Sequence, residues 1–480
     1  MSRRLLLLIC ATVALGACGD APGGPIAVSA IGAAPRLLNP NLQPLDPPAA
    51  FLAEAVAQGL VRFDADGEIE PALAQSWIVS DDGLRYTFRI RRSTWPDGSP
   101  ITAEQVAGRL RAAASRASRN PLKPVLGGVE TINAMTDAVL EITLRGPRPN
   151  LLQLLAQPEM AVIFGGMGSG PYQIGGTSGG TPLLSLPPGE DGEPAAGPSI
   201  LLRGERAALA VARFANGEAE LVTGGTIGDL AVARAADQPN ARLLIDPVQG
   251  LFGLSFASLD GPLGEAAVRR ALSMAVDREA LVAALNVRGL EGRATLMPGG
   301  LGELPRPFAP DWVALAVPER VARARAAIAA LNLAEPLRLR VAMPDGPGYR
   351  IAFAALRRDW RAIGVEAVRV PADAPAAELR LIDEVAPAVL ATWYLRHFAC
   401  EAARVCDAAA DAALQEARVA RTLAERRLHL ARADQILGEL TPFVPLAGPV
   451  RWSLVGQRLT GFRPNMFGRH NAGELIEQRF

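Results

Sequence analysis

Residues 84–105 of the chain read Leu-Arg-Tyr-Thr-Phe-Arg-Ile-Arg-Arg-Ser-Thr-Trp-Pro-Asp-Gly-Ser-Pro-Ile-Thr-Ala-Glu-Gln. Apolar and polar side chains alternate from Leu84 to Ile90, which predicts a half-buried β-strand. Residues 95–98 (Trp-Pro-Asp-Gly) have the composition of a turn. Thr102, with Gln105 three positions later, forms a capping-box pattern that predicts the start of a helix. A strand, a turn and a helix therefore follow one another in this stretch.

The same mixture of strands and helices continues on both sides of this stretch. Alternation predicts further strands at 138–144 and 337–343, and strands are also predicted at 26–31 and 365–370. Helical spacing of apolar residues predicts helices at 50–60, 206–216, 266–285, 318–332, 349–363 and 407–440, whereas 454–480 is predicted to be irregular. Intermixed elements predict an α/β fold, and 480 residues are enough for about three domains.

Composition excludes two classes of function. The chain has 49 acidic and 49 basic residues and a formal net charge of zero. No arginine-rich stripe separates from the acids, so no nucleic-acid partner is predicted. Lys123 is the only lysine and stands in Leu-Lys-Pro. A phosphate-binding P-loop needs Gly-Lys-Ser/Thr, so nucleotide hydrolysis of the Walker type is excluded.

The amino terminus has the pattern of an export signal. Arg3 and Arg4 precede an apolar run over residues 5–15, which suits a secretory signal and is too short to span a bilayer. The quartet Leu-Gly-Ala-Cys that ends at Cys18 resembles the lipobox of bacterial lipoproteins, and the alternative is an ordinary signal peptide. We expect a signal over 1–17, lipid on Cys18 and a flexible tether over 18–26. This predicts a protein held by lipid on the periplasmic side of a bacterial envelope membrane.

Two cysteines remain in the mature chain, Cys400 and Cys406. In an oxidising compartment they either form a disulfide or bind a metal. His397 is the only nearby imidazole, and no second Cys/His cluster exists in the sequence, which disfavours metal binding. No metal site and no cofactor is predicted.

Several segments together resemble the bacterial extracellular solute-binding proteins of family 5, the dipeptide, oligopeptide and nickel-binding components of ABC importers. The most specific block is amino-terminal, and weaker matches follow along nearly the whole mature chain. The matching segments are 59–64, 70–77, 82–91, 95–104, 168–172, 268–279, 442–446 and 459–465. The resemblance implies a two-lobed periplasmic-binding-protein clamp of type II, similar to cluster C, with an extra inserted domain.

The resemblance also implies a domain layout and a function. Lobe I is expected over 27–48, 166–252 and 453–480, domain II over 49–165, and lobe III over 253–452. The ligand, a peptide by default, would lie in the cleft between the lobes, and hinge closure would bury it. Nickel chelates, sugars and opines are alternative ligands. The expected partner is an ABC permease, the expected state is a monomer, and no covalent chemistry is required.

Four residues are candidates for ligand binding. In peptide-binding relatives, a strand of the second lobe runs through a tryptophan into an Asp-containing segment, and Leu390 to Tyr394 reaches the matching place without Gly-Asp or Asp-Pro after it. Trp393 and Tyr394 either line the cleft or pack in the core. Asp407, the nearest aspartate afterwards, binds ligand or caps the next helix. Asn39 stands where the family begins its cleft wall, or in a plain turn.

A second class of function rests on Ser178. Residues 176–180 (Gly-Thr-Ser-Gly-Gly) match the Gly-x-Ser-x-Gly pattern of serine hydrolases. That chemistry needs a buried strand before the serine and a helix after it. Thr181 and Pro182 follow within a turn-rich stretch, so the alternative is a flexible loop. An exported serine hydrolase is therefore the second hypothesis, and a chaperone or sensor built on the clamp is a variant of the first.

Overall fold

A computed structural model describes residues 24–178, 180–188, 197–235 and 242–477; the predicted signal and Cys18 lie outside these ranges. The strands are β1 Ile26–Ile31, β2 Val61–Phe63, β3 Ile69–Pro71, β4 Ala74–Val79, β5 Arg85–Ile90, β6 Val129–Thr136, β7 Val139–Leu144, β8 Ile163–Phe164, β9 Met167–Gly168, β10 Gln173–Ser178, β11 Thr181–Ser185, β12 Ile200–Glu205, β13 Leu221–Thr226, β14 Arg242–Asp246, β15 Gly250–Phe256, β16 Leu337–Met343, β17 Val365–Pro371, β18 Leu379–Val385, β19 Phe443–Ala447 and β20 Arg451–Val455. The helices are α1 Pro47–Val56, α2 Ala103–Ala114, α3 Lys123–Leu126, α4 Leu151–Leu155, α5 Ala207–Ala215, α6 Leu230–Ala235, α7 Ala266–Ala275, α8 Arg278–Leu285, α9 Val317–Ala329, α10 Pro347–Arg361, α11 Ala391–Arg396, α12 Ala408–Val419 and α13 Leu423–Leu440. Within the described ranges, no helix is both long and apolar enough to cross a bilayer.

Lobe I is built on a seven-stranded sheet with the order β10-β11-β12-β1-β13-β20-β14. β1 lies parallel to β12 and β13, whereas β20 arrives from the end of the chain and pairs antiparallel with β13 and β14. Helix α1 covers one face, where Phe51 and Leu52 join a buried cluster with strand residues such as Val28. Helix α1 thus packs in the core of the lobe I sheet, although residues 49–56 fall within the range expected for domain II.

Lobe III is built on a five-stranded sheet with the order β17-β16-β18-β15-β19. The chain crosses between the two large sheets twice, over residues 247–249 and 448–450. The expected boundaries at 252 and 453 fall inside β15 and β20, which each pair with strands of one large sheet only. Each of the two crossings is a segment of three residues that connects one large sheet to the other.

Domain II carries a four-stranded antiparallel sheet with the order β4-β5-β7-β6, and α2 packs against β6 and β7. The Thr102 hydroxyl accepts a hydrogen bond from the Gln105 backbone at 3.3 Å, and the Gln105 side chain accepts one from the Thr102 backbone at 3.0 Å. This confirms the predicted capping box. Val106 and Leu110 of the helix are buried against the sheet, so the 84–105 stretch positions one layer of this domain on the other.

Three sequence predictions of secondary structure are wrong in detail. The helix expected over 266–285 is divided into α7 and α8 because Asp277 accepts a hydrogen bond from the Ala280 backbone and starts a new helix. The helix expected over 407–440 is divided into α12 and α13 by a capping box at Thr422. The segment from Leu390 to Tyr394, expected as a strand, forms the start of helix α11.

Candidate functional site

A cavity of about 540 Å³ lies between the two large sheets. Lobe I contributes α1, the end of β13 and the residues after β20. Lobe III contributes the end of β18 and α11, and domain II contributes the residues around α3 and Glu159. A volume of this size is typical of small-molecule sites, which lie preferentially between domains. All three regions of the chain therefore wall one cavity.

Asp383, at the end of β18, connects the two lobes. Its Oδ1 accepts a hydrogen bond from Arg451 Nη1 of β20 at 2.8 Å, and its Oδ2 accepts one from the Tyr349 hydroxyl at 2.8 Å. Burial, and next to it the negative charge of Asp383, raise the pKa of Tyr349, so the phenol stays protonated and donates. Both carboxylate oxygens of Asp383 are thus engaged at the seam between the sheets.

Glu384, Trp393 and His397 form the lobe III wall. His397 Nε2 lies 3.1 Å from Glu384 Oε2, and His397 Nδ1 lies 2.9 Å from the Trp393 carbonyl oxygen. Burial alone would lower the pKa of His397, but the hydrogen bond to Glu384 and its charge outweigh burial and raise it. The same hydrogen bond lowers the pKa of Glu384. The Trp393 ring packs edge-on against His397, with centroids 4.4 Å apart, and so has a fixed orientation at the cavity.

The opposite wall carries two carboxylates and one arginine. Arg469 donates to Gln157 Oε1 at 3.1 Å and to Glu159 Oε1 at 3.3 Å, and it lies 4.0 Å from Glu54 Oε1. Burial raises the pKa of Glu54 to about 7, against the opposing effect of Arg469 and with a further contribution from Glu159. This wall is therefore rich in acceptors and suits a positively charged group.

Two of the four candidate ligand residues, Trp393 and Tyr394, lie at or behind the cavity wall. The other two, Asn39 and Asp407, lie in an exposed turn and at the start of a helix. Trp393 lines the cavity and is 7 % exposed. Tyr394 is fully buried behind it, its hydroxyl has no hydrogen-bond partner among the described residues, and burial raises its pKa to about 12. Asn39 is an exposed turn residue whose Oδ1 accepts from the Asn41 backbone, and it does not line the cavity. Asp407 is the N-cap of α12, where Oδ1 accepts from the Ala409 backbone at 2.7 Å.

Cys400 and Cys406 form a disulfide in the structure, with their Cα atoms 5.0 Å apart. It closes the loop that follows α11, and the Cys400 backbone N–H donates to Asp411 of α12 at 3.2 Å. Among the described residues there is no group of three His, Cys, Asp or Glu side chains placed to hold a metal ion.

Ser178 lies at the exposed end of β10, at the edge of the seven-stranded sheet. It pairs with Thr181 of β11, so the segment is a β-hairpin. The strand after Ser178 stands where a nucleophile elbow requires a helix.

Sequence reasoning missed the charged groups of β18 and α11. Asp383 and Glu384 end the strand that runs into the cavity, about ten residues before Trp393, and Arg396 follows on α11. The short run Leu-Arg-Leu-Ile at 379–382, followed by Pro387, was the available signal for that strand. With it, the carboxylates of the second lobe would have been found at 383 and 384 rather than sought after Trp393.

The sequence profile described as "Bacterial extracellular solute-binding proteins, family 5 Middle" matches residues 68–396. The chain is 23 % identical over 472 residues to the probable ABC transporter periplasmic-binding protein SapA of Escherichia coli K12, covering 85 % of this chain and 84 % of that protein. It is 31 % identical over 154 residues to the glutathione-binding protein GsiB of Salmonella choleraesuis, covering 28 % and 30 %. The solved structure of Haemophilus influenzae OppA in complex with the peptide RPPGFSPFR aligns with a TM-score of 0.79 at 17 % identity, over 94 % of this chain and 98 % of that one.

Proposed function

We propose, since this chain belongs to the bacterial extracellular solute-binding proteins of family 5, that it closes around a small peptide and delivers it to an ABC permease. The observation that carries the proposal is the single cavity of about 540 Å³ walled by both lobes and domain II. A ligand that contacts both lobes at once stabilises the closed form, and the permease can then recognise that form.

The chemistry of the walls supports a peptide over a sugar. One wall holds the two neighbouring carboxylates of Glu54 and Glu159. The other wall holds Arg396 and the ring of Trp393. A short peptide carries an amino group, a carboxylate and apolar side chains, which complement these three kinds of surface.

The ligand can be identified in the mature protein purified without refolding. We expect native mass spectrometry to show a co-purified small molecule, and a peptide mixture to raise the thermal midpoint by mass action. Trp393→Ala should reduce peptide retention about tenfold, whereas Trp77→Ala, a tryptophan of β4 outside the cavity, should retain peptide normally. The absence of both a bound molecule and stabilisation would contradict the proposal. Ester hydrolysis abolished by Ser178→Ala would instead support the hydrolase.

We further propose that Cys18 carries the lipid anchor and that the folded chain is a monomer on the periplasmic side of the membrane. Palmitate labelling of the full-length chain in a bacterial host should mark the wild type and not Cys18→Ser, and the variant should leave the membrane fraction.

Alkylation before reduction should leave Cys400 and Cys406 unlabelled in the same sample, because their sulfurs are bonded in the exported protein. Labelled Cys18→Ser, or alkylated Cys400, would contradict the corresponding assignment.

A further inference from the structure

Arg396 is the most unusual charged group in the wall of the cavity. Its side chain is 8 % exposed, and it lines the cavity from the last turn of α11. Among the described residues its guanidinium makes no hydrogen bond, and Nη2 is fully buried without a partner. Its one ion-pair partner there is Glu401, at 3.8 Å from Nη1, and Glu401 is 72 % exposed. Buried guanidinium groups are ordinarily paired and hydrogen-bonded, so this one is incomplete.

The surroundings of Arg396 add positive charge. Arg418 and Arg426 act on it with like charge, and Arg148 belongs to the same group. Burial, followed by the charge of Arg426, lowers the pKa of Arg148 to about 9. Glu303 is the buried carboxylate in this group, and it lies 2.6 Å from Arg426. Exposed Glu401 and half-buried Asp411 also act on Arg396 with opposite charge, so four arginines face three carboxylates, of which Glu303 is the buried one. Positive charge is therefore in excess beside the cavity.

We propose that Arg396 binds a carboxylate group of the ligand, as a specificity-determining residue of the cleft. A planar guanidinium with unused donors matches a carboxylate in a bidentate geometry. The inference rests on the proposed solute-binding function and deepens it by naming the chemical group that one end of the ligand must carry.

The position of Arg396 relative to the other walls supports this assignment. Asp383 is occupied by Arg451 and Tyr349, and Glu384 is occupied by His397, so the lobe III carboxylates are already paired. Arg451 is likewise held by Asp383, and Arg469 by Gln157 and Glu159. Of the three arginines that line the cavity, Arg396 is the one whose donors are unused within the described chain. A ligand carboxylate would satisfy them and bring in the missing negative charge.

The test compares three mature proteins: wild type, Arg396→Gln and Arg404→Gln. Arg404 is an exposed arginine eight residues further along that does not line the cavity, so its substitution makes the same charge change away from the site. Each protein is incubated with a tryptic digest of casein, separated from free peptide by gel filtration and analysed by mass spectrometry. We expect Arg396→Gln to retain at least tenfold less peptide than the wild type and Arg404→Gln to match it. A digest whose carboxylates have been methyl-esterified should not be retained by any of the three.

Two further measurements keep the proposal testable if the glutamine variant folds poorly or no peptide is captured. Arg396→Lys preserves the charge without the planar donor pair and should show intermediate retention. Sodium acetate, compared with sodium chloride at equal ionic strength, should raise the thermal midpoint of the wild type and of Arg404→Gln but not of Arg396→Gln. If no peptide is captured, the peptide function is overturned. The acetate experiment tests carboxylate binding by Arg396 independently of that result. Equal retention by Arg396→Gln, retention of the esterified digest, or an acetate effect that is absent or common to all variants would overturn the role of Arg396.

Discussion

A buried arginine lies on each side of helix α11. One arginine is fully hydrogen-bonded, and the other is not. Behind the helix, Arg426 is 2 % exposed and donates to Glu303 at 2.7 Å, to the Ala417 carbonyl at 2.6 Å and to the Thr392 hydroxyl at 2.7 Å. At the cavity, Arg396 is 8 % exposed and makes no hydrogen bond within the described chain. Four residues separate Thr392, which supports the first arginine, from Arg396 on the same helix.

The difference indicates what each region is for. A buried charge with every donor satisfied holds helices together, because removing its partner leaves an uncompensated charge. A buried charge with unused donors lowers the stability of the empty protein and gains from a partner supplied in solution. The ion pair of Arg426 and Glu303 behind α11 should therefore contribute to the stability of the protein. Unpaired charges at the cavity should reduce it.

The largest expected effect comes from removing the partner of Arg426. Glu303→Gln leaves Arg426 buried without its counter-ion, so the free energy of unfolding should fall by about 3 kcal/mol. The matched control is Glu401→Gln, which removes the exposed carboxylate near Arg396 and should change stability by less than about 0.5 kcal/mol. Urea unfolding followed by circular dichroism measures both. Equal losses in the two variants would abolish the distinction between the two arginines.

Part of the fold could be predicted from the sequence, because it depends on local pattern. Alternation in residues 337–343 predicted β16 at the observed bounds, and the Thr102 capping box predicted the start of α2. Each of these signals is contained within a few neighbouring residues, where backbone hydrogen bonding and side-chain periodicity are decided. The α/β class was therefore predictable from local pattern, whereas the two-lobed clamp followed from the resemblance to family 5.

The functional wall was less predictable because its properties arise from distant residues. Leu390 to Tyr394 is a short apolar run, and such runs do not distinguish a buried helix from a strand. Because this run was expected to be the strand, the carboxylate of the lobe III wall was expected after Trp393. The strand is β18 instead, and Asp383 and Glu384 lie near its end, before Trp393. Arg396 looks ordinary in sequence, and its burial and the missing partner of its Nη2 are seen only in the structure.

An effect of similar size and opposite sign is expected for Glu54, which faces the cavity. Its pKa is raised from 4.5 to about 7 in the folded protein, mainly by burial. The folded state therefore binds a proton more tightly than the unfolded state, and this group makes stability fall as pH rises from about 4.5 to about 7. Glu54→Gln removes the buried charge, so at pH 8 the variant should be about 3 kcal/mol more stable than the wild type.

The pH dependence provides the control for this prediction. At pH 4 the Glu54 carboxyl is neutral in both states, so the stability gain of Glu54→Gln should largely disappear. Glu130→Gln, a substitution of an exposed carboxylate on β6, should change stability little at either pH. If Glu54→Gln were less stable than the wild type at pH 8, the Glu54 carboxylate would stabilise the protein, as Glu303 does, and would not be a destabilising charge of the cavity.

The smallest effect is expected at Asn39, which tests how sharply the cavity is bounded. Asn39 Oδ1 accepts a hydrogen bond from the Asn41 backbone at 3.0 Å in an exposed turn. Asn39→Ala should therefore lower the free energy of unfolding by about 0.5 to 1 kcal/mol, as loss of one hydrogen bond does. Peptide retention should stay at the wild-type level, in contrast to the loss expected for Trp393→Ala. If Asn39→Ala lost retention without losing stability, the ligand would extend to this turn, beyond the residues that line the cavity in this structure.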